Sequence, residues 1–294
     1  MFYRRKVILA LLEVFENKID KISFQKLLFL FTRMQDKPSY HFVPYKQGCF
    51  SFQSYADLRT MMKYGQVSEG KDQWIKTCSI NYASSLNNED QEALKVIKNQ
   101  YGNFSSNELI ELTYRNFPYY AVKSTIAGKF LTIEEQIALT KSIPEIGHTT
   151  LFTIGYEGLS LEEYFNKLIL NNIQVLCDVR KNPVSMKYGF SKNQLQRTCE
   201  NLDIKYLHIP ELGIESDKRK GLASKNDYDG LFQDYKEITL KENNNAINQL
   251  FDLLKQNKCI ALTCFEANPL QCHRSRLANA IVDLPGWEFE LKHL

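Results

Sequence analysis

Apolar residues recur at helical spacing near the start of the chain, at Val7, Leu11, Val14 and Phe15, and again from Phe24 through Phe31, where Ser23 is placed to cap a second helix. Residues 41–48 (HFVPYKQG) form an extended aromatic run stopped by Gly48. A third helical pattern begins at Ser54, runs through Met62 and closes at Gly65, and Val67 opens a short strand. Helix, helix, extended arm, helix and β-wing, in that order, predict a mostly α, winged-helix-like unit.

The period changes after residue 150. Leu151 to Ile154 reads as a short buried strand, and Ser160 and Glu163 stand at the capping-box spacing that opens a helix ending near Asn171. Ile173 to Arg180 supplies the next strand, so the three elements form a βαβ unit with parallel strands. Ser191 is placed to cap a helix from Lys192 to Leu202, followed by a strand from Lys205 to Ile209 and a turn ending at Gly213. The polar loop from Glu215 to Asp229, with Lys218, Arg219 and Lys220, reads as a solvated surface. Cys259 to Phe265 reads as the last strand, and Asn268 and Pro269 suit the cap and first position of a helix through Val282. This half predicts a Rossmann-like parallel sheet. Pro144 and Gly147 set the seam at Glu145 to Gly147, giving two domains, 1–147 and 148–294, which the length of 294 residues already favours.

Composition narrows the class. With 44% hydrophobic and 24% charged residues the chain matches a globular protein, and stretches such as Ile8–Leu12 and Leu27–Phe31 fall far short of the roughly 20 apolar residues that cross a bilayer. Arg4, Arg5 and Lys6 before an apolar stretch imitate a signal peptide, but Glu13 ends that stretch early, so the segment reads as an amphipathic helix. Seven cysteines, an odd number, argue against a disulfide framework and for a reducing, cytoplasmic setting. The net charge of +3 is too mild to imply nucleic acid by itself.

Reactive side chains concentrate in the second half, which holds Cys177, Cys199, Cys259, Cys264 and Cys272 and four of the five histidines. Asp178 and Arg180 fall at the carboxyl end of a predicted parallel strand, where open α/β sheets bind ligands. Arg180, Lys192 and Arg274 could together grip a phosphate or carboxylate, with Glu157 and Glu266 as acid and base, His273 sharing in proton transfer, and Gly155, Tyr156, Gly158 and Ser185 nearest the ligand. The bland alternative is that Arg180 and Arg274 merely pair with Asp178 and Glu266 as structural ion pairs.

Five ordered motifs carry a family resemblance: Thr153 to Gly158 (TIGYEG), Asp178 to Ser185 (DVRKNPVS), Gly189 to Lys192 (GFSK), Tyr206 to Gly213 (YLHIPELG), and Thr263 to Arg274 with its TCFE and CHR ends. Together they resemble the domain-of-unknown-function 488 family, which implies a Rossmann-like α/β domain and no settled reaction. Where other members can have Gly-His-Ser, this sequence reads Gly155-Tyr156-Glu157, so no histidine role carries over to that position. In the first half, Tyr45 to Ser51, Leu58 to Val67 and Glu108 to Ser124 resemble phage-associated and antitoxin proteins of the Panacea (SocA-like) type. That resemblance implies recognition of protein or nucleic acid, and a phage-defence setting.

Three readings of the second half stay open. The first is an enzyme or sensor for a nucleotide or nucleic acid. The second is a rhodanese-like sulfurtransferase or phosphatase with Cys272, favoured over Cys264 by its place at a helix start, as nucleophile. The third is a non-catalytic adaptor for DNA or protein. Metal binding by Cys264, Cys272 and His273 ranks below these, because neighbours on a helix point about 100° apart. Neither metal nor cofactor is therefore expected, and the sequence does not fix the oligomeric state.

Overall fold

The computed structural model describes residues 1–143, 147–219 and 225–294. The chain divides into two compact units, Met1–Ile143 and Pro144–Leu294. Of the residues singled out above, Pro144 and Glu145 at the seam and Lys220 in the polar loop lie outside the described residues.

In the first unit, α1 (Tyr3–Val14) is followed by β1 (Lys18–Asp20) and α2 (Lys21–Thr32). Every residue from Val7 to Leu12 is fully buried, so α1 is an interior helix rather than one with a single apolar face. The cap of α2 is Asp20 and not Ser23: the Asp20 carboxylate accepts from the amides of Ile22 and Ser23 at 3.1 and 2.9 Å, while Ser23 is itself buried inside the helix. A hairpin of β2 (Val43–Tyr45) and β3 (Gly48–Phe50) leads to α3 (Phe52–Lys63), which Ser51 caps. Strands β4 (Val67–Glu69) and β5 (Gln73–Lys76) join β1 in an antiparallel sheet of order β1-β5-β4. Helices α4 (Asn88–Tyr101), α5 (Ser106–Asn116) and α6 (Ile133–Thr140) complete the unit. Phe24, Phe29, Phe31 and Trp74 fill its core.

The second unit is built on β6 (Thr150–Gly155), α7 (Leu161–Leu170), β7 (Val175–Asp178), α8 (Lys192–Asn201), β8 (Lys205–His208), α9 (Lys225–Asp234), α10 (Asn244–Asn257), β9 (Cys259–Cys264), α11 (His273–Val282) and β10 (Glu290–His293). Its five strands form one parallel sheet in the order β10-β6-β9-β7-β8. Strands β6, β7 and β9 are buried throughout, which explains their continuous apolar runs in place of alternation. Leu151, Cys177, Ile260 and Leu262 share one core with α10 and α11, while the Tyr164 hydroxyl of α7 bonds Thr263 from the opposite face at 2.8 Å. The capping box at Ser160 and Glu163 forms as the spacing requires.

Three local expectations change. Strand β9 lies between β6 and β7, so the two strands of the βαβ unit are parallel but not neighbours. The strand at Cys259 is not the last, because β10 adds a parallel edge beside β6. Ser191 stands at the cap of α8 without bonding the helix, its hydroxyl instead donating to the Ser185 carbonyl and accepting from the Ser185 amide. Among the described residues, no helix is long and apolar enough to cross a membrane.

Candidate functional site

The carboxyl ends of β6, β7 and β9 lie side by side, and the segments that leave them are stitched together. The amide of Glu157 donates to the Phe265 carbonyl, and the Glu157 carboxylate accepts from the amide of Ala267, both at 2.9 Å. Gly155 makes this approach feasible. A Cβ there would lie 1.8 Å from the Glu266 carbonyl oxygen, so this glycine receives the neighbouring loop rather than a ligand. Gly158, at φ +78°, turns the chain toward α7 in open space.

Arg274 holds the same loop from below. Fully buried, it donates from Nη1 to the Glu266 carbonyl and from Nη2 to the Ala267 carbonyl at 3.0 Å. The ion pair expected between Arg274 and the Glu266 carboxylate is thus replaced by a grip on backbone oxygens, since the side chain rises from α11 beneath the loop. Arg180 does form its expected pair. Its Nε and Nη2 reach the two oxygens of the buried Asp178 carboxylate at 2.8 and 2.5 Å, and its Nη1 donates to Tyr156 and to the Phe190 carbonyl. Burial works against the guanidinium charge, but Asp178 outweighs it and holds Arg180 protonated above its ordinary range. Asp178 also accepts from Tyr206 at 2.7 Å, so its charge is met on several sides. Lys192 lies 3.0 Å from His208 Nδ1, whose other ring nitrogen meets the Arg180 carbonyl, so it does not join the two arginines in one grip.

A cleft of about 310 Å³ opens at these strand ends between Tyr156, Arg180, Lys181, Asn182, Cys264 and His273. Ser185 borders it too, and its Val184 and Met186 rim is strongly exposed. Tyr156 stacks on Phe190 at 4.3 Å, and its carbonyl accepts from Lys187, whose pKa is lowered by burial. Beyond Phe265, which is 45% exposed, a second cleft of about 800 Å³ runs past Glu157, Glu266, Tyr228 and Arg276. Of the residues singled out in the sequence, Tyr156, Arg180, Ser185 and His273 reach the first cleft and Glu157 and Glu266 the second. Gly155, Asp178 and Arg274 lie beneath them as structure. Lys181, Asn182 and Phe265 stand inside the DVRKNPVS and TCFE motifs but carry no role there, and Lys187 falls between motifs, because spacing alone does not say which residue of a loop turns to a cleft.

The start of α11 also differs from expectation. Asn268 and Pro269 open only a short 3₁₀ turn, Pro269–Gln271, and Cys272 becomes the cap of α11 in an extended conformation, φ −130° and ψ 141°. Its thiol is fully enclosed. Burial first, and then the neighbouring Cys264 thiol, push the Cys272 pKa well above its ordinary value, although His273 pulls the other way. Cys264 borders the cleft, with its Sγ 3.2 Å from a Glu266 carboxylate oxygen and 3.6 Å from His273 Nδ1.

Fold and cleft together define an open α/β domain with a crevice at the carboxyl ends of a parallel sheet. Residues 160–281 match the family model described as "Domain of unknown function DUF488", so the similarity to that family lies in the second unit. The match begins after Gly158 and leaves out the TIGYEG motif. No curated protein matches the chain.

Proposed function

We propose that the second unit binds a nucleotide or a nucleic-acid segment at the carboxyl ends of β6, β7 and β9, as an enzyme or a sensor. The observation that carries this reading is the exposed Phe265 ring standing between two clefts, one lined by Lys181, Asn182 and Ser185 and the other by Tyr228 and Arg276. A base can stack on such a ring while phosphate oxygens meet the neighbouring cation and polar groups. Arg180 would serve by fixing the shape of the site, since its charge is already met by Asp178. In the first unit, Arg59 and Lys63 stand exposed one turn apart on α3 and Lys71 is exposed in the β4–β5 turn, a distribution suited to a winged-helix-like module meeting nucleic acid or a protein.

Cysteine chemistry is the second reading. A sulfurtransferase or phosphatase would here employ Cys264, which borders the cleft beside His273, rather than the enclosed Cys272.

Binding of a panel of nucleotides and short single-stranded oligonucleotides to the full chain tests the main reading. Phe265→Ala should weaken binding roughly 5- to 100-fold, the loss of one stacked base, and Lys181→Glu should weaken it further as salt is lowered. If wild type binds nothing in the panel, or both variants bind as wild type does, the reading fails.

A further inference from the structure

We infer that Cys264, Cys272 and His273 form a binding site for a single thiophilic divalent metal ion, zinc being the class that suits them, on the floor of the strand-end cleft. The sulfur atoms of both cysteines and a ring nitrogen of His273 all lie within 4.8 Å of one another, and all three residues are buried. His273 Nδ1 stands 3.6 Å from Cys264 Sγ and 3.9 Å from Cys272 Sγ. A tetrahedral ion with sulfur at about 2.3 Å and imidazole nitrogen at about 2.0–2.1 Å would hold those ligand atoms roughly 3.6 Å apart. The two nitrogen–sulfur separations therefore stand almost at ligand spacing already.

The surroundings orient the ring for this task. His273 Nε2 lies 3.0 Å from the Val179 carbonyl, which can only accept, so the proton belongs on Nε2 and the Nδ1 lone pair faces the two sulfurs. Tyr235 closes on the ring edge-to-face at 5.4 Å. Residues 272 and 273 would diverge on a continuous helix, but Cys272 is the extended cap and only His273 has entered α11, so both can point to one place. By contrast, Cys177 on β7 belongs to the apolar core.

Three protein ligands leave a fourth position, the arrangement of sites whose metal takes a water or a ligand atom. That position faces the cleft, because Cys264 and His273 both line it, and the Glu266 carboxylate stands beside Cys264 on the exposed side. A phosphate or carboxylate oxygen is the ligand class such a position accepts. The site stands independently of the nucleotide reading, since metal binding is measured with no nucleotide present.

The test uses the full chain, reduced and freed of metal by chelation, then titrated with Co²⁺ and with Zn²⁺. About one equivalent of Co²⁺ should produce thiolate-to-cobalt charge-transfer absorption and tetrahedral ligand-field bands, all abolished by Zn²⁺. X-ray absorption of the zinc-loaded wild type should show sulfur scatterers at about 2.3 Å together with nitrogen at about 2.0–2.1 Å. Cys264→Ser and Cys272→Ser should each remove about half of the charge-transfer intensity, with circular dichroism confirming that they fold, and Cys177→Ala should retain it. A folded wild type that shows no thiolate-to-cobalt band, or a zinc shell made only of nitrogen and oxygen, overturns the inference, and the wild-type measurements decide it even if a variant does not fold.

Discussion

Asp178→Ala should destabilise the second unit by about 3–5 kcal/mol, the cost of leaving a buried charge without its partner. The carboxylate is fully buried and accepts four hydrogen bonds, from Arg180 Nε, Nη2 and backbone amide and from the Tyr206 hydroxyl, at 2.5–3.2 Å. Its removal leaves a guanidinium only 7% exposed with two neutral acceptors, Tyr156 and the Phe190 carbonyl. Removing both charges is a different perturbation, because nothing ionic then remains to desolvate. The double variant Asp178→Leu with Arg180→Met should regain most of the loss, a coupling of at least about 2 kcal/mol. Urea unfolding of the full chain supplies the free energies, and amide exchange read by mass spectrometry on β7 and β9 peptides assigns the loss to this unit. A single variant within about 1 kcal/mol of wild type, or a double variant no better than the single, would refute the account of Arg180 as a cation locked in the scaffold.

Two further outcomes follow from the same geometry. Gly155→Ala would drive a methyl group to 1.8 Å from a carbonyl oxygen that Arg274 already holds, so a loss of about 3 kcal/mol or more is expected in thermal or urea unfolding; a wild-type melting temperature would contradict the close packing of the two loops. Burial raises the Cys177 pKa from 9.0 to about 12, so the folded state keeps its proton where the unfolded chain releases it. Stability from this group is complete below pH 9.0, the unfolded value, and is lost as pH rises toward about 12. Cys177→Ala should flatten that alkaline decline, and an unchanged slope would mean that the thiol does not titrate with unfolding.

The local elements of the second unit were open to reading because each rests on nearest-neighbour chemistry. Ser160 and Glu163 satisfy each other's amides three residues apart, and the apolar run from Cys259 needs no partner to announce a buried strand. Ser23 fits the pattern because a hydroxyl before an apolar run is a common cap, but Asp20, three residues earlier, takes the amides of Ile22 and Ser23 and so starts the helix one turn sooner. Strand β10 escaped notice because Glu290-Leu-Lys-His293 is polar and alternating, as suits an edge strand, and gains its partner only from β6, far back in the chain.

For the site, sequence determined which chemistry is available: two cysteines, a histidine, two arginines and their acids at the ends of parallel strands. Tertiary structure decided which of those groups face one another. Arg180 turned to Asp178 and Arg274 to backbone carbonyls because a buried cation must find acceptors within reach, and the nearest acceptors come from other segments of the chain. The extended cap at Cys272, set by how α11 packs beneath the β9 loop, brought adjacent residues to a common point that helical spacing would have denied them. Spacing fixes direction only within one regular element; where a chain changes from turn to helix, direction is decided by packing.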